Sequence, residues 1–150
     1  MKNDAVYYSE IQKFRQLWLW AILFLSLCVG LYRNPASVWI IVAVSAFLWL
    51  LQLETVISEQ GISYRWIPFQ LRPRLIKWSE IDQVTVRSYA PLAEFGGWGI
   101  RFSWRGTAQT VSGNHGVEIR KKSSKRFLLI GTQHPDQIRQ VLQQNQAIVV

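Results

Sequence analysis

Five positive charges fall within seven residues at Arg120-Lys121-Lys122-Ser123-Ser124-Lys125-Arg126. Such a run at a hairpin tip is either a solvated turn or a contact for an anionic surface. A second basic group, Arg72-Pro73-Arg74 with Lys77, lies earlier in the chain. Little else is equipped for chemistry. His115 stands in a Gly-flanked loop and His134 at a helix start, where helix capping suits it better than acting as a base. The single cysteine, Cys28, excludes an intrachain disulfide framework and a Cys-based metal site. No nucleophile elbow, metal-ligand cluster or spaced carboxylate pair is present, so no catalytic residue, metal or cofactor is expected. Gly96-Gly97-Trp98-Gly99 invites a phosphate-loop reading, but an alternating strand follows where a helix N-terminus is needed. These glycines are expected to serve backbone geometry, with Trp98 as a core plug.

The elements that must position the basic groups divide at about residue 53. Leu17–Tyr32 and Ala36–Leu53 are apolar runs without a Lys, Arg, Asp, Glu or His, separated by Arg33-Asn34-Pro35. A bilayer core of about 30 Å takes roughly 17–25 apolar residues as helix. The runs therefore predict a transmembrane hairpin with spans over about 15–32 and 36–53. Lys13 and Arg15 before it, and Arg65, Arg72, Arg74 and Lys77 after it, predict both termini on the cytoplasmic side. Trp18, Trp20 and Trp49 at the inner ends, and Tyr32 and Trp39 at the outer ends, suit the interfacial belts. No ionisable residue inside the runs marks a transport path.

From residue 54 the periodicity changes to alternation by two. Ile62, Tyr64 and Trp66 predict a strand after the turn at Glu59-Gln60-Gly61. Pro68 and Pro73 bracket an irregular stretch, and Leu75–Trp78 is a short strand. Val84 and Val86 form another, and Pro91–Gly99 reads as a loop. Ile100, Phe102 and Trp104 alternate with Arg101, Ser103 and Arg105 as the clearest half-buried strand. Thr107–Val111 is a weaker one. Val117 and Ile119, with Phe127–Ile130, flank the basic tip as a hairpin. His134-Pro135-Asp136 then opens an amphipathic helix that carries Ile138, Val141 and Leu142. The fold class expected is α+β: a two-helix transmembrane hairpin over residues 1–53, then an antiparallel barrel or sandwich of about seven strands over 54–150, capped by the C-terminal helix. The apolar tail Ala147–Val150 has no assignable role.

Residues 54–145 resemble bacterial pleckstrin-homology-like (PH-like) membrane proteins. The likeness rests on Trp78-Ser79-Glu80-Ile81 at the entry to a central strand and on Phe95-Gly96-Gly97-Trp98-Gly99-Ile100-Arg101. It rests also on Leu129-Ile130-Gly131-Thr132-Gln133-His134-Pro135, which leads into the last helix. The resemblance implies a PH-like fold held at the inner membrane more than it implies an activity.

The formal net charge is +8, with thirteen Lys/Arg against seven Asp/Glu in residues 54–150. Because the basic residues are not interleaved with exposed aromatics on a known reading module, nucleic acid is not expected as a partner. The expected function is that of a membrane-anchored, non-enzymatic domain. It would present Arg72, Arg74, Lys77, Arg120, Lys121, Lys122, Lys125 and Arg126 to a protein partner or to anionic lipid headgroups. The alternative is a structural subunit whose hairpin packs against other membrane helices, with Ala21, Gly30, Ala43 and Ala46 permitting close approach.

Overall fold

The computed structural model describes residues 5–144, so the tail Ala147–Val150 lies outside the described residues. The first element is a strand, β1 (Val6–Lys13), within what composition presents as a polar leader. Its buried positions are Tyr8, Glu10 and Gln12, so the usual polarity of the alternation is reversed. Two helices follow, α1 (Leu17–Arg33) and α2 (Pro35–Leu50), joined at Asn34. The Asn34 carboxamide oxygen accepts from the Ala36 N–H, capping α2. The chain then returns as β2 (Gln52–Ser58), antiparallel to β1 from Lys13–Gln52 to Val6–Ser58. The helical hairpin is thus an insertion between two paired strands.

This geometry corrects the membrane expectations. Helices α1 and α2 have 17 and 16 residues. At about 1.5 Å per residue they reach about 25 and 24 Å, short of a hydrocarbon core of about 30 Å. No helix among the described residues is long and apolar enough to cross a membrane. The two expected spans, the multi-pass membrane location and the cytoplasmic placement of both termini therefore do not stand. The physical reason lies at the ends. Gln16 and Leu51 are already extended, and Gln52 and Leu53 are strand residues paired to Ile67 and Trp66. Three of the tryptophans assigned to an interface make ring contacts within the fold, whereas Trp39 is exposed. Trp20 packs edge-on to Trp49 and donates to the Phe14 carbonyl at 2.9 Å, and Trp18 lies 6.2 Å from Trp98.

The expected antiparallel barrel or sandwich of about seven strands is corrected as well. Among the described residues nine strands form two open sheets, one with a parallel pair, and they do not close into a barrel. The first has the order β1-β2-β3-β4, completed by β3 (Gly61–Ile67) and β4 (Arg74–Lys77). A single 3₁₀ turn, Trp78–Glu80, leads into β5 (Ile81–Ser88) of the second sheet. After β5 come α3 (Pro91–Phe95), β6 (Gly99–Phe102), β7 (Gly106–Thr110), β8 (His115–Lys121) and β9 (Phe127–Thr132). The second sheet has the order β5-β8-β9-β7-β6, and its β7–β9 pair is parallel. A short helix, α3, therefore replaces part of the loop expected over Pro91–Gly99. Pro91 suits its first turn, and the Glu94 carboxylate accepts from the Ala90 N–H at 2.9 Å.

The core lies between the sheets. Leu53, Ile57, Ile62 and Trp66 of the first sheet meet Val84, Val117, Ile119 and Ile130 of the second, all at most 2 % exposed. The last helix, α4 (Pro135–Gln144), adds Ile138 and Leu142 to the same cluster. Each such side chain contributes about 1.5–3 kcal/mol on burial.

Candidate functional site: a basic end and an open strand

The β8–β9 connection is held by local hydrogen bonds, and its Lys122, Lys125 and Arg126 side chains are exposed. Ser124 N–H donates to the Lys121 carbonyl at 3.1 Å, and Arg126 N–H donates to the Ser124 hydroxyl at 3.1 Å. Two further bonds decide what surrounds it. Lys122 N–H donates to the Glu80 carbonyl at 2.9 Å, which brings the 3₁₀ turn, and Lys77 just before it, to this connection. Phe127 N–H donates to the Arg105 carbonyl at 3.3 Å, which brings the β6–β7 turn to its other side. Lys77, Arg105, Lys122, Lys125 and Arg126 are all exposed here.

The eight basic residues expected at a contact surface therefore divide. Lys77 joins Arg120, Lys121, Lys122, Lys125 and Arg126. Arg72 and Arg74 do not. They follow the loop whose Phe69 ring packs 5.3 Å from Phe47 of α2, and β4 carries the chain from Arg74, opposite Tyr64, to Lys77, opposite Gly61. Two members are already paired: Arg120 with the buried Glu118 at 2.9 Å, and Lys121 with Glu80 at 4.0 Å. Arg72, Arg74, Lys77, Lys122, Lys125 and Arg126 have no carboxylate within 4.0 Å among the described residues. Arg105 is the member that sequence reading missed. Its signal was its place in a two-residue turn between two strand-like runs.

An ion-pair network supports this end from behind. Arg87 bridges Glu118 at 2.7 Å and Glu94 at 3.0 Å. Its hydrogen bond holds the Glu94 carboxyl below the usual carboxylate range, and Arg105 adds to the effect. These carboxylates are occupied in positioning β5, β8 and α3.

The strand expected to be half-buried is corrected. Ile100, Phe102 and Trp104 are 44 %, 81 % and 78 % exposed. Alternation correctly marks a strand here, but β6 is the last strand of its sheet. Trp98 is half-buried rather than a full core plug: its indole N–H donates to the Gly113 carbonyl at 2.8 Å while its ring meets Trp18. Gly96, Gly97 and Gly99 all adopt positive φ, a backbone conformation that suits glycine.

His115 lies opposite Thr132, and the His134 N–H donates to the Thr132 hydroxyl at 3.0 Å. The nearby carboxylate, Glu10, is saturated by Tyr8, Thr132 and the Gln133 N–H, and neither imidazole bonds to it. Among the described residues no group of three or more His, Cys, Asp or Glu side chains could hold a metal ion. The basic end can hold an anionic group, and β6 can accept another strand. No family model matches this chain, and comparison with curated proteins and with solved structures finds no similar one.

Proposed function

We propose that this chain is a non-enzymatic docking module. Its two-sheet body presents the basic end to an acidic protein partner. The apolar hairpin packs against apolar helices of the same assembly. One observation carries the reading: apolar and cationic surfaces are segregated on different elements. Leu25, Leu31, Trp39, Ile40 and Trp49 of α1 and α2 are all more than half exposed, whereas Lys77, Arg105, Lys122, Lys125 and Arg126 gather, exposed, around the β8–β9 connection. An apolar surface of that extent marks an interaction site, and a cationic surface steers anionic partners.

Photo-crosslinking in the intact chain tests this, with the crosslinker placed at Lys125 on the basic end and at Phe24 on the hairpin. Specific protein adducts are expected at both positions. Lys121→Gln, Lys122→Gln, Lys125→Gln and Arg126→Gln together should reduce the adduct formed from a neighbouring probe at Ser123. If no position in residues 54–144 yields an adduct above background, the reading fails.

A further inference from the structure

The edge of the second sheet names the chemistry of that partner. Ser103 and Gly106 exchange both backbone hydrogen bonds across the Trp104-Arg105 turn, at 2.8 and 3.2 Å. Hydrogen-bonded and non-hydrogen-bonded pairs alternate along an antiparallel ladder. With Phe102 opposite Thr107 and Ile100 opposite Gln109, these two residues direct their N–H and C=O groups away from β7. Among the described residues no strand lies beyond β6. An open, apolar edge of this kind is a template for strand addition, and proteins ordinarily blunt it.

Its charge selects the occupant. Arg101 and Arg105 flank the exposed Phe102 and Trp104, and no carboxylate lies within 4.0 Å of either guanidinium among the described residues. Arg105 stacks over the Trp104 ring at 4.6 Å, leaving its donors free at the margin. The strand runs toward the end that holds Lys125 and Arg126. Where it ends, a cleft of about 220 Å³ opens, lined by Phe95, Trp104 and Phe127 with Glu94 and Arg105 at its polar margin. Glu94 is bound to Arg87 and so offers the cleft no free carboxylate.

We infer that β6 is a docking strand for an extended acidic segment of a protein partner, in which carboxylates alternate with apolar side chains. The inference rests on the docking-module reading and locates its site. Backbone groups of Ile100 and Phe102 supply the pairing, Arg101 and Arg105 take the carboxylates, and the aromatic cleft takes an apolar side chain. A second copy of this chain fits less well, because antiparallel β6–β6 pairing brings the two Arg101 side chains within a residue or two of each other, and like charges across a ladder destabilise it.

The test uses the full chain and a short fluorescein-labelled peptide that alternates Glu with Val and Phe. The control peptide carries Lys in place of Glu. Fluorescence anisotropy should show salt-sensitive binding of the acidic probe and none of the basic one. Phe102→Pro removes an outward N–H without removing a β6–β7 bond, and should weaken the acidic probe about tenfold. Arg101→Glu with Arg105→Glu should weaken it by at least as much, and it retains the backbone donor should the proline variant fail to fold. Equal binding of both probes, or wild-type affinity in a folded variant, overturns the inference. So does a dimer that Phe102→Pro abolishes in a chain that ignores the probe. If the inference fails while adducts still form within residues 54–144, the docking reading survives; if none forms there, both fall.

Discussion

Thr132 donates its hydroxyl to Glu10 at 2.7 Å across 122 positions of sequence, fastening the first strand to the last. The same carboxylate receives Tyr8 at 2.8 Å and the Gln133 N–H at 2.8 Å, and Glu10 is 6 % exposed. Glu10→Ala leaves three donors without their acceptor and should cost about 3 kcal/mol. Glu10→Gln keeps an acceptor and should recover part of that. Urea unfolding of both variants checks the order.

The phenol of Tyr8 is raised well above the ordinary tyrosine value, first by burial and then by its hydrogen bond to Glu10. Burial raises Tyr89 too. A group raised in the folded state holds its proton after the unfolded chain has released it, so its contribution is complete below the ordinary tyrosine pKa and is lost above it. Stability should therefore be insensitive to these groups up to about pH 9 and fall as the unfolded chain ionises above about pH 10, at a rate that for Tyr8 approaches about 1.4 kcal/mol per pH unit. Tyr8→Phe should make the alkaline slope shallower. Denaturant midpoints between pH 8 and 11, with tyrosinate absorbance, measure it.

The indole N–H of Trp66 donates to the Gln109 side chain at 2.5 Å, joining the two sheets through the core. Trp66 is 1 % exposed, and Phe14 stacks at 6.5 Å. Trp66→Phe removes both ring volume and the donor, stranding a buried carboxamide oxygen. A loss of about 2–3 kcal/mol is expected. Trp66→Phe with Gln109→Leu should cost less than the single change, and a double-mutant cycle reads the difference.

Gly61 begins β3 at φ +153°, and a β-carbon there would sit 2.0 Å from the Ile76 carbonyl oxygen. That oxygen belongs to the backbone of β4, so no side-chain rotation relieves the clash. Gly61→Ala should cost about 3 kcal/mol. Thermal melts compare it with Gly96→Ala, which meets nothing within 4 Å and bears only the cost of its positive φ.

Strands whose apolar residues face the core were legible: Ile62, Tyr64 and Trp66 alternate in sequence and are buried in β3. β1 was not, because Glu10 and Gln12 point inward and their partners, Thr132 and Gly131, lie at the other end of the chain. Local periodicity cannot announce a polar core completed from so far away. The hairpin's turn at Asn34 was legible from its residues, but its helix lengths were not. Apolar residues at Leu51 and Leu53 extend the run, while pairing to β3 had already claimed Leu53 as strand. At β6 alternation identified the strand and misjudged its cover, since a sheet's outermost position is set by topology rather than by local pattern. The basic tip was legible as a cluster; its neighbours Lys77 and Arg105 became members only through the Glu80 and Arg105 carbonyls.

Because β1 and β2 stay in register from Lys13–Gln52 to Tyr8–Ile57, the body is discontinuous in sequence although continuous in space. A fragment starting at residue 54 would lack both a strand and the start of its neighbour, leaving Ile57 beside a bare edge. The intervening hairpin, by contrast, can be shortened or exchanged without interrupting any ladder. The removable unit is therefore internal, and the residues ahead of it are as much a part of the body as those behind.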